Sequence, residues 1–157
     1  MNITAAIDRF AAGAEIPGKG IKGLSRQDLL AFPVPGTWSI QQIVVHLMDS
    51  DLVACDRIKR IACMNRPLLI GYDENAFIKN LSPEKLDAAE CCEAFRLNRK
   101  LCADVLRTLP EAAFERWGVH NENGKMTLSG MVVGYSDHLD HHMKFLYEKR
   151  AKLGKPL

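Results

Sequence analysis

Residues 127–153 read TLSGMVVGYSDHLDHHMKFLYEKRAKL, and the spacing within this stretch decides the fold. Met131, Gly134, His138, His142, Phe145 and Lys149 recur at three- and four-residue steps, the period of one helical face. Thr127 stands where its hydroxyl can cap the first turn. The segment therefore predicts one long helix from Thr127 to about Leu153, with two histidines on its inward stripe.

Upstream, the same period recurs three times. Ser39 and Gln42 form a Ser-x-x-Gln capping box ahead of Ile43, Leu47, Val53 or Ala54, Ile58 and Ile61. That helix runs to about Met64 and closes at Asn65-Arg66-Pro67. Ser82-Pro83 predicts the start of another, capped by serine with proline in the first turn, and Leu86, Ala89, Phe95, Leu101, Val105 and Leu109 as its buried stripe. Near the N-terminus, Ile3, Ile7, Phe10, Ala11 and Ala14 mark a helix over 2–15, which Pro17, Gly18, Gly20 and Gly23 are expected to break. A short turn capped by Ser25 reaches Leu30. Strand signals are weak throughout, and His120, Asn121, Asn123 and Gly124 read as a loop. Four amphipathic helices in one chain predict an all-α four-helix bundle with short extra helices, a single domain over 1–157. The connection from Asn65 to Leu81, about seventeen residues, is longer than an antiparallel turn needs and suits a crossover.

Composition limits the function classes. A chain of 157 residues is long enough to bury a core unaided. Apolar residues make up 47% and charged residues 25%, with a net charge of +2. No basic run occurs, so nucleic acid is not an expected partner. No apolar run approaches the roughly 20 residues of a membrane span, and Met1-Asn2-Ile3-Thr4 does not begin a basic-then-apolar leader. Cys55, Cys63, Cys91, Cys92 and Cys102 are odd in number and lack CxxC spacing; buried reduced thiols in a cytoplasmic protein are the expectation.

The histidines carry the chemistry. Helical residues four apart place their Cβ atoms about 6 Å from each other, so two imidazoles at that spacing can share one ion at about 2.0–2.1 Å from each nitrogen. His138 and His142 have that spacing, and His46 faces inward on its own helix with Ile43, Ser50 and Val53. Three imidazoles from two helices leave coordination positions open, as catalytic sites do. The spacing also permits a His138–His141 pair, or a solvated, pH-sensitive face that binds nothing.

Several stretches together resemble a known family. Trp38-Ser39-Ile40 is followed by Val45-His46-Leu47-Met48-Asp49-Ser50, then Gly71-Tyr72-Asp73-Glu74, then His120 to Gly124 before Thr127-Leu128, then Asp137-His138-Leu139-Asp140-His141-His142. Their order and spacing, from about Thr37 to Phe145, resemble the DinB superfamily and within it the YfiT-like metal-dependent hydrolases. The resemblance implies a bundle connected up-down-down-up, a homodimer, and a nickel or zinc ion held by His46, His138 and His142 rather than His141. It implies hydrolysis of a small molecule, or, as in related branches, S-transfer with a low-molecular-weight thiol. Many relatives carry proline after the histidine matching His120, where this chain has Asn121.

Around these ligands, Asp49, Glu74 and His120 are the candidate general bases. Asp49 and Ser50, one turn past His46, can orient an imidazole from behind. Arg57 lies about 16 Å further along the same stripe and needs a partner, either a core carboxylate, the expected one, or an anionic substrate. Trp38 is expected to staple the helix start. Gly130 and Gly134 serve close helix packing or leave room for a ligand. Against an enzyme stand a non-catalytic metal-binding module and a plain dimerisation domain.

Overall fold

A computed structural model describes residues 2–157; Met1, first residue of the stretch read for a leader, lies outside them. Seven helices occur among the described residues: α1 (Ile3–Ala12), α2 (Ile16–Ile21), α3 (Arg26–Leu30), α4 (Ile40–Cys63), α5 (Glu74–Asn80), α6 (Ala88–Arg107) and α7 (Leu128–Lys152). Three short strands join them: β1 (Leu68–Leu69), β2 (Trp117–His120) and β3 (Gly124–Thr127). No described helix is long and apolar enough to cross a membrane.

Helices α1, α4, α6 and α7 form the bundle, and two apolar clusters fix its connectivity. In one, the second halves of α4 (Cys55, Ile58, Ile61) and α6 (Cys102, Ala103, Leu106) meet the start of α7 (Leu128, Met131, Val132). In the other, the first halves of α4 (Ile40 to Leu47) and α6 (Ala88 to Phe95) meet Leu139, Met143 and Leu146 of α7. So α4 and α6 run parallel and α7 runs against them. Helix α1 pairs Asp8, midway along it, with Arg107 at the end of α6 and brings Gly13, just beyond its own end, against Arg99 and Leu139. The order is up-down-down-up, and the Asn65–Leu81 segment is the crossover.

Between the clusters lies a polar layer. Arg99 donates from Nε to Asp51 at 2.7 Å, with side chains 1% and 0% exposed. Asn98 donates to the other Asp51 oxygen at 2.8 Å, and the guanidinium sits 4.5 Å from the ring centres of both Phe10 and Phe95. Burial pushes the Asp51 carboxyl up, and the Arg99 and Asn98 N–H groups offset part of that.

Several sequence expectations need correction. Pro17, Gly18 and Gly20 do not break a helix but lie inside α2. Pro17 takes the first turn, where its missing N–H is harmless, and Arg150 donates to the Gly20 and Lys22 carbonyls at the far end. Ser82 does not cap α6: it is left-handed (φ 52°), and the Asp87 carboxylate accepts from the N–H groups of Ala89 and Glu90 instead. Buried Gln41 donates to the Pro83 and Leu86 carbonyls and pins the crossover there. The stripe of α6 is rotated from the expected one: Cys91, Cys92, Phe95, Arg99, Cys102, Ala103 and Leu106 are buried, while Leu86, Leu101 and Val105 are exposed. Small inward residues let α4 approach closely, so the leucines face out. On α7, Phe145 is exposed, whereas Lys149 is inward as its stripe predicts, buried against the Thr37 hydroxyl. All five cysteines are free, and Cys63 is exposed.

The all-α reading also omitted a sheet of order β1-β2-β3, with β1 parallel and β3 antiparallel to β2. Gly118 is where it approaches the crossover: an added Cβ would lie 2.8 Å from the Pro67 carbonyl oxygen. Gly134 has nothing within 4 Å of an added Cβ, so helix packing does not require it. Gly118→Ala is expected to destabilise by about 1–3 kcal/mol. Gly134→Ala should stabilise by up to about 1 kcal/mol through helix propensity. Urea denaturation of the two variants checks both, and equal effects would contradict this packing.

Candidate metal centre

Ser39 caps α4 through both bonds of the expected capping box, which sets the phase that turns His46 inward. Thr127 caps α7 by accepting from the Gly130 N–H, which sets the phase of His138 and His142. Because α4 and α7 are antiparallel, the first half of one faces the second half of the other, and the three rings meet. One nitrogen from each of His46, His138 and His142 lies within 4.8 Å of the others. The His46 and His138 Nε2 atoms are 3.2 Å apart. Two nitrogens each about 2.0–2.1 Å from one ion stand at roughly this separation, so the donor set fits a divalent metal. His141 is exposed, its ring edge-on to His142 and Phe145, and it does not join the cluster.

The electrostatics prepare the rings as ligands. Burial, then the neighbouring His142, pushes His46 down to about 4. Burial, then His46, does the same to His138, and burial, then His138, to His142, both to about 4. All three are neutral at pH 7, the form that binds metal. In the metal-free protein the consequence is acid sensitivity. Unfolded histidine takes a proton near 6.5, whereas the folded rings refuse it until about 4. Their contribution to stability is therefore complete above about pH 6.5 and lost as pH falls through 4. It amounts to at most about 1.4 kcal/mol per ring per pH unit, less the part screened by water. The thermal midpoint of chelator-treated protein should fall steadily across that window; a flat profile would contradict the burial of the rings.

Trp38 does more than staple the helix start. Its ring lies 6.0 Å from that of His142 and nearly parallel to it, and 5.0 Å from that of His46, so it forms an apolar wall on one side of the triad. Of the triad, His138 also lines a cavity of about 360 Å³, together with Ser50, Arg57, Tyr72, Glu74 and His120. A larger cleft of about 640 Å³, between α2, α3 and α6, is lined by no histidine and lies apart from the triad.

Of the three candidate bases, the structure brings Glu74 and His120 into that cavity. Asp49 is half-buried, its carboxyl pushed up by burial, and does not line it. His120 is 4% exposed, and its Nδ1 accepts from the N–H groups of Glu122 and Asn123 at 3.2 and 3.3 Å. The neutral ring therefore carries its proton on Nε2. Asp73 caps α5, and Tyr72 packs on Phe77. Asp137 and Asp140 are surface charges, as their place off the stripe suggests, and both pair with Arg9.

Arg57 departs from expectation. Among the described residues no carboxylate pairs with it; it donates to the Tyr135 hydroxyl at 2.8 Å and to the Ile70 carbonyl. The sheet explains that second bond, because Ile70, directly after β1, is held where its carbonyl faces Arg57. Tyr135 had no sequence signal beyond its place one turn before His138. The β2–β3 hairpin had a weak one, a four-residue strand ending in an Asn- and Gly-containing turn.

An antiparallel histidine triad in an up-down-down-up bundle defines a class of helical metal-site protein, and the sequence comparisons agree. The chain belongs to the DinB superfamily, whose profile matches residues 20–146. It is 29% identical over 113 residues to a protein of Oceanobacillus iheyensis, covering 69% of this chain and 62% of that relative. It is 26% identical over 120 residues to YfiT of Bacillus subtilis, covering 76% and 67% of the two chains. Both relatives carry the provisional name of metal-dependent hydrolase. The solved structure of Bacillus subtilis YfiT, described as an unusual four-helix bundle, superposes with a TM-score of 0.91 at 22% identity, covering 97% of this chain and 87% of that one. That likeness establishes the fold.

Proposed function

We propose that this protein is a metal-dependent hydrolase acting on a small molecule, with His46, His138 and His142 holding one nickel or zinc ion. The observation that carries the reading is the meeting of three neutral imidazoles, one of which, His138, also lines an open cavity. Imidazole donors suit either metal. When bound, such an ion supplies Lewis-acid chemistry, acidifying water toward neutral pH and polarising a carbonyl or phosphoryl oxygen.

The chain's own groups divide the remaining work. His120, with Nδ1 occupied by two backbone N–H groups, offers Nε2–H as a donor to an oxygen that gains charge, and so does not serve as the base. Burial, then the Arg57 charge, lowers its pKa and keeps it neutral. Glu74, exposed at the cavity wall, is the proton acceptor. Trp38 keeps water from one side of the triad.

The test is a hydrolysis screen of nickel- and zinc-loaded protein against small esters, amides and phosphoesters, repeated with Glu74→Gln. Turnover that needs the metal and falls about 100-fold or more in the variant, at unchanged metal content, supports the reading. Turnover that appears only with an added low-molecular-weight thiol overturns hydrolysis in favour of S-transfer. Full metal binding without turnover leaves the binding-module alternative.

A further inference from the structure

We propose that the inner end of this cavity recognises a single anionic group on the substrate, a carboxylate or a phosphate monoester, with Arg57 as its charged anchor. The inference rests on the hydrolase reading for the word substrate, but the binding it describes is measurable alone.

Arg57 is 8% exposed, yet both of its hydrogen-bond partners are neutral and its Nε has no partner. A guanidinium removed from water without a counter-charge is costly. The buried Asp51 carboxylate is already paired with Arg99, and among the described residues no carboxylate pairs with Arg57. An anion that enters through the cavity supplies the missing charge.

The neighbouring groups agree in sign. The buried Tyr72 hydroxyl has only the Ser50 side chain to meet it, and His120 presents a protonated Nε2. Arg57, Tyr72 and His120 are thus three donors lining one cavity. A guanidinium flanked by neutral donors suits a planar carboxylate or a phosphate oxygen pair. Glu74 and Glu122 line the same cavity but are exposed, with Glu122 beside Gly71, where an added Cβ would lie 2.9 Å from the carboxylate. These two charges disfavour a polyanion and leave room for one negative group. Tyr135 ties the anchor to the chemistry: its hydroxyl holds Arg57 and its ring lies 6.0 Å from that of His138. A small molecule gripped by Arg57 thus reaches the triad with its other end.

Calorimetric titration tests this with three probes: butyrate, inorganic phosphate, and neutral butyramide. Metal-free protein is titrated first, because an ion can itself bind anions, and the nickel-loaded protein second. Wild type should bind butyrate or phosphate and not butyramide, and whichever anion binds identifies the group. Arg57→Gln should lose at least tenfold in that affinity while taking up nickel as wild type does. Equal affinity in the variant, or no anion binding by wild type, overturns the proposal. Should the variant not fold, the Arg57 side-chain N–H resonances of wild type decide: movement on adding the anion supports the site, and no movement sinks it. Anion binding by a wild-type protein that takes up no nickel would break the hydrolase reading and leave the anion site standing.

Discussion

His142→Ala is expected to strip the protein of its metal, from about one ion per chain to almost none after desalting. The three nitrogens come from only two helices, and His142 supplies one of the two contacts that α7 makes. With it gone, two imidazoles remain, and an ion held by two neutral donors exchanges into water. Losing a residue that merely supports a ligand typically costs about 10–100-fold in affinity, so losing the ligand should cost more than about 100-fold. His141→Ala is the matched control: it is one residue away, exposed, and should keep full metal content. Elemental analysis of untagged protein gives the answer, with circular dichroism to confirm that both variants are folded. A His142→Ala protein with wild-type metal content would mean that the ligands lie elsewhere.

The second large effect concerns the polar layer rather than the metal. Asp51→Ala should destabilise the protein by about 3–5 kcal/mol, because it leaves Arg99 charged, buried and unpaired between two phenylalanine rings. For a domain of this size that is roughly 6–20 °C in thermal midpoint. Arg99 Nη1 already lacks a partner, so little is available to absorb the charge. The double variant Asp51→Leu/Arg99→Met should recover most of the loss, since apolar replacement of a whole buried pair is often neutral or better. A single variant as stable as wild type would show that water reaches this layer. Arg99 also donates to the Tyr135 carbonyl at 3.3 Å, one turn before His138, so the single variant should loosen metal binding modestly as well.

Periodicity and capping are local properties, and the sequence alone determined what depends on them. The Ser39 box and Thr127 set the starts of α4 and α7, and the four-residue step put His138 and His142 on one face, with His46 inward on another helix. The family landmarks added the connectivity and separated His142 from His141. Tertiary structure decided whatever depended on distant segments. The α6 stripe was misread because a buried arginine and small cysteines, not leucines, form its inward face, and only the position of Asp51 on α4 makes an inward arginine tolerable. Pro17 and Gly20 look like helix breakers, yet Pro17 sits in the first turn of α2, and Met143 and Arg150 of α7 come beside Gly20. The sheet escaped notice because two-residue β1 has no period to detect and exists only by pairing with a strand some fifty residues away. That same pairing brings Ile70 to Arg57 and His120 into the cavity. The sequence could thus name the three histidines that meet, while their surroundings are contacts between remote parts of the chain, and no local pattern encodes those.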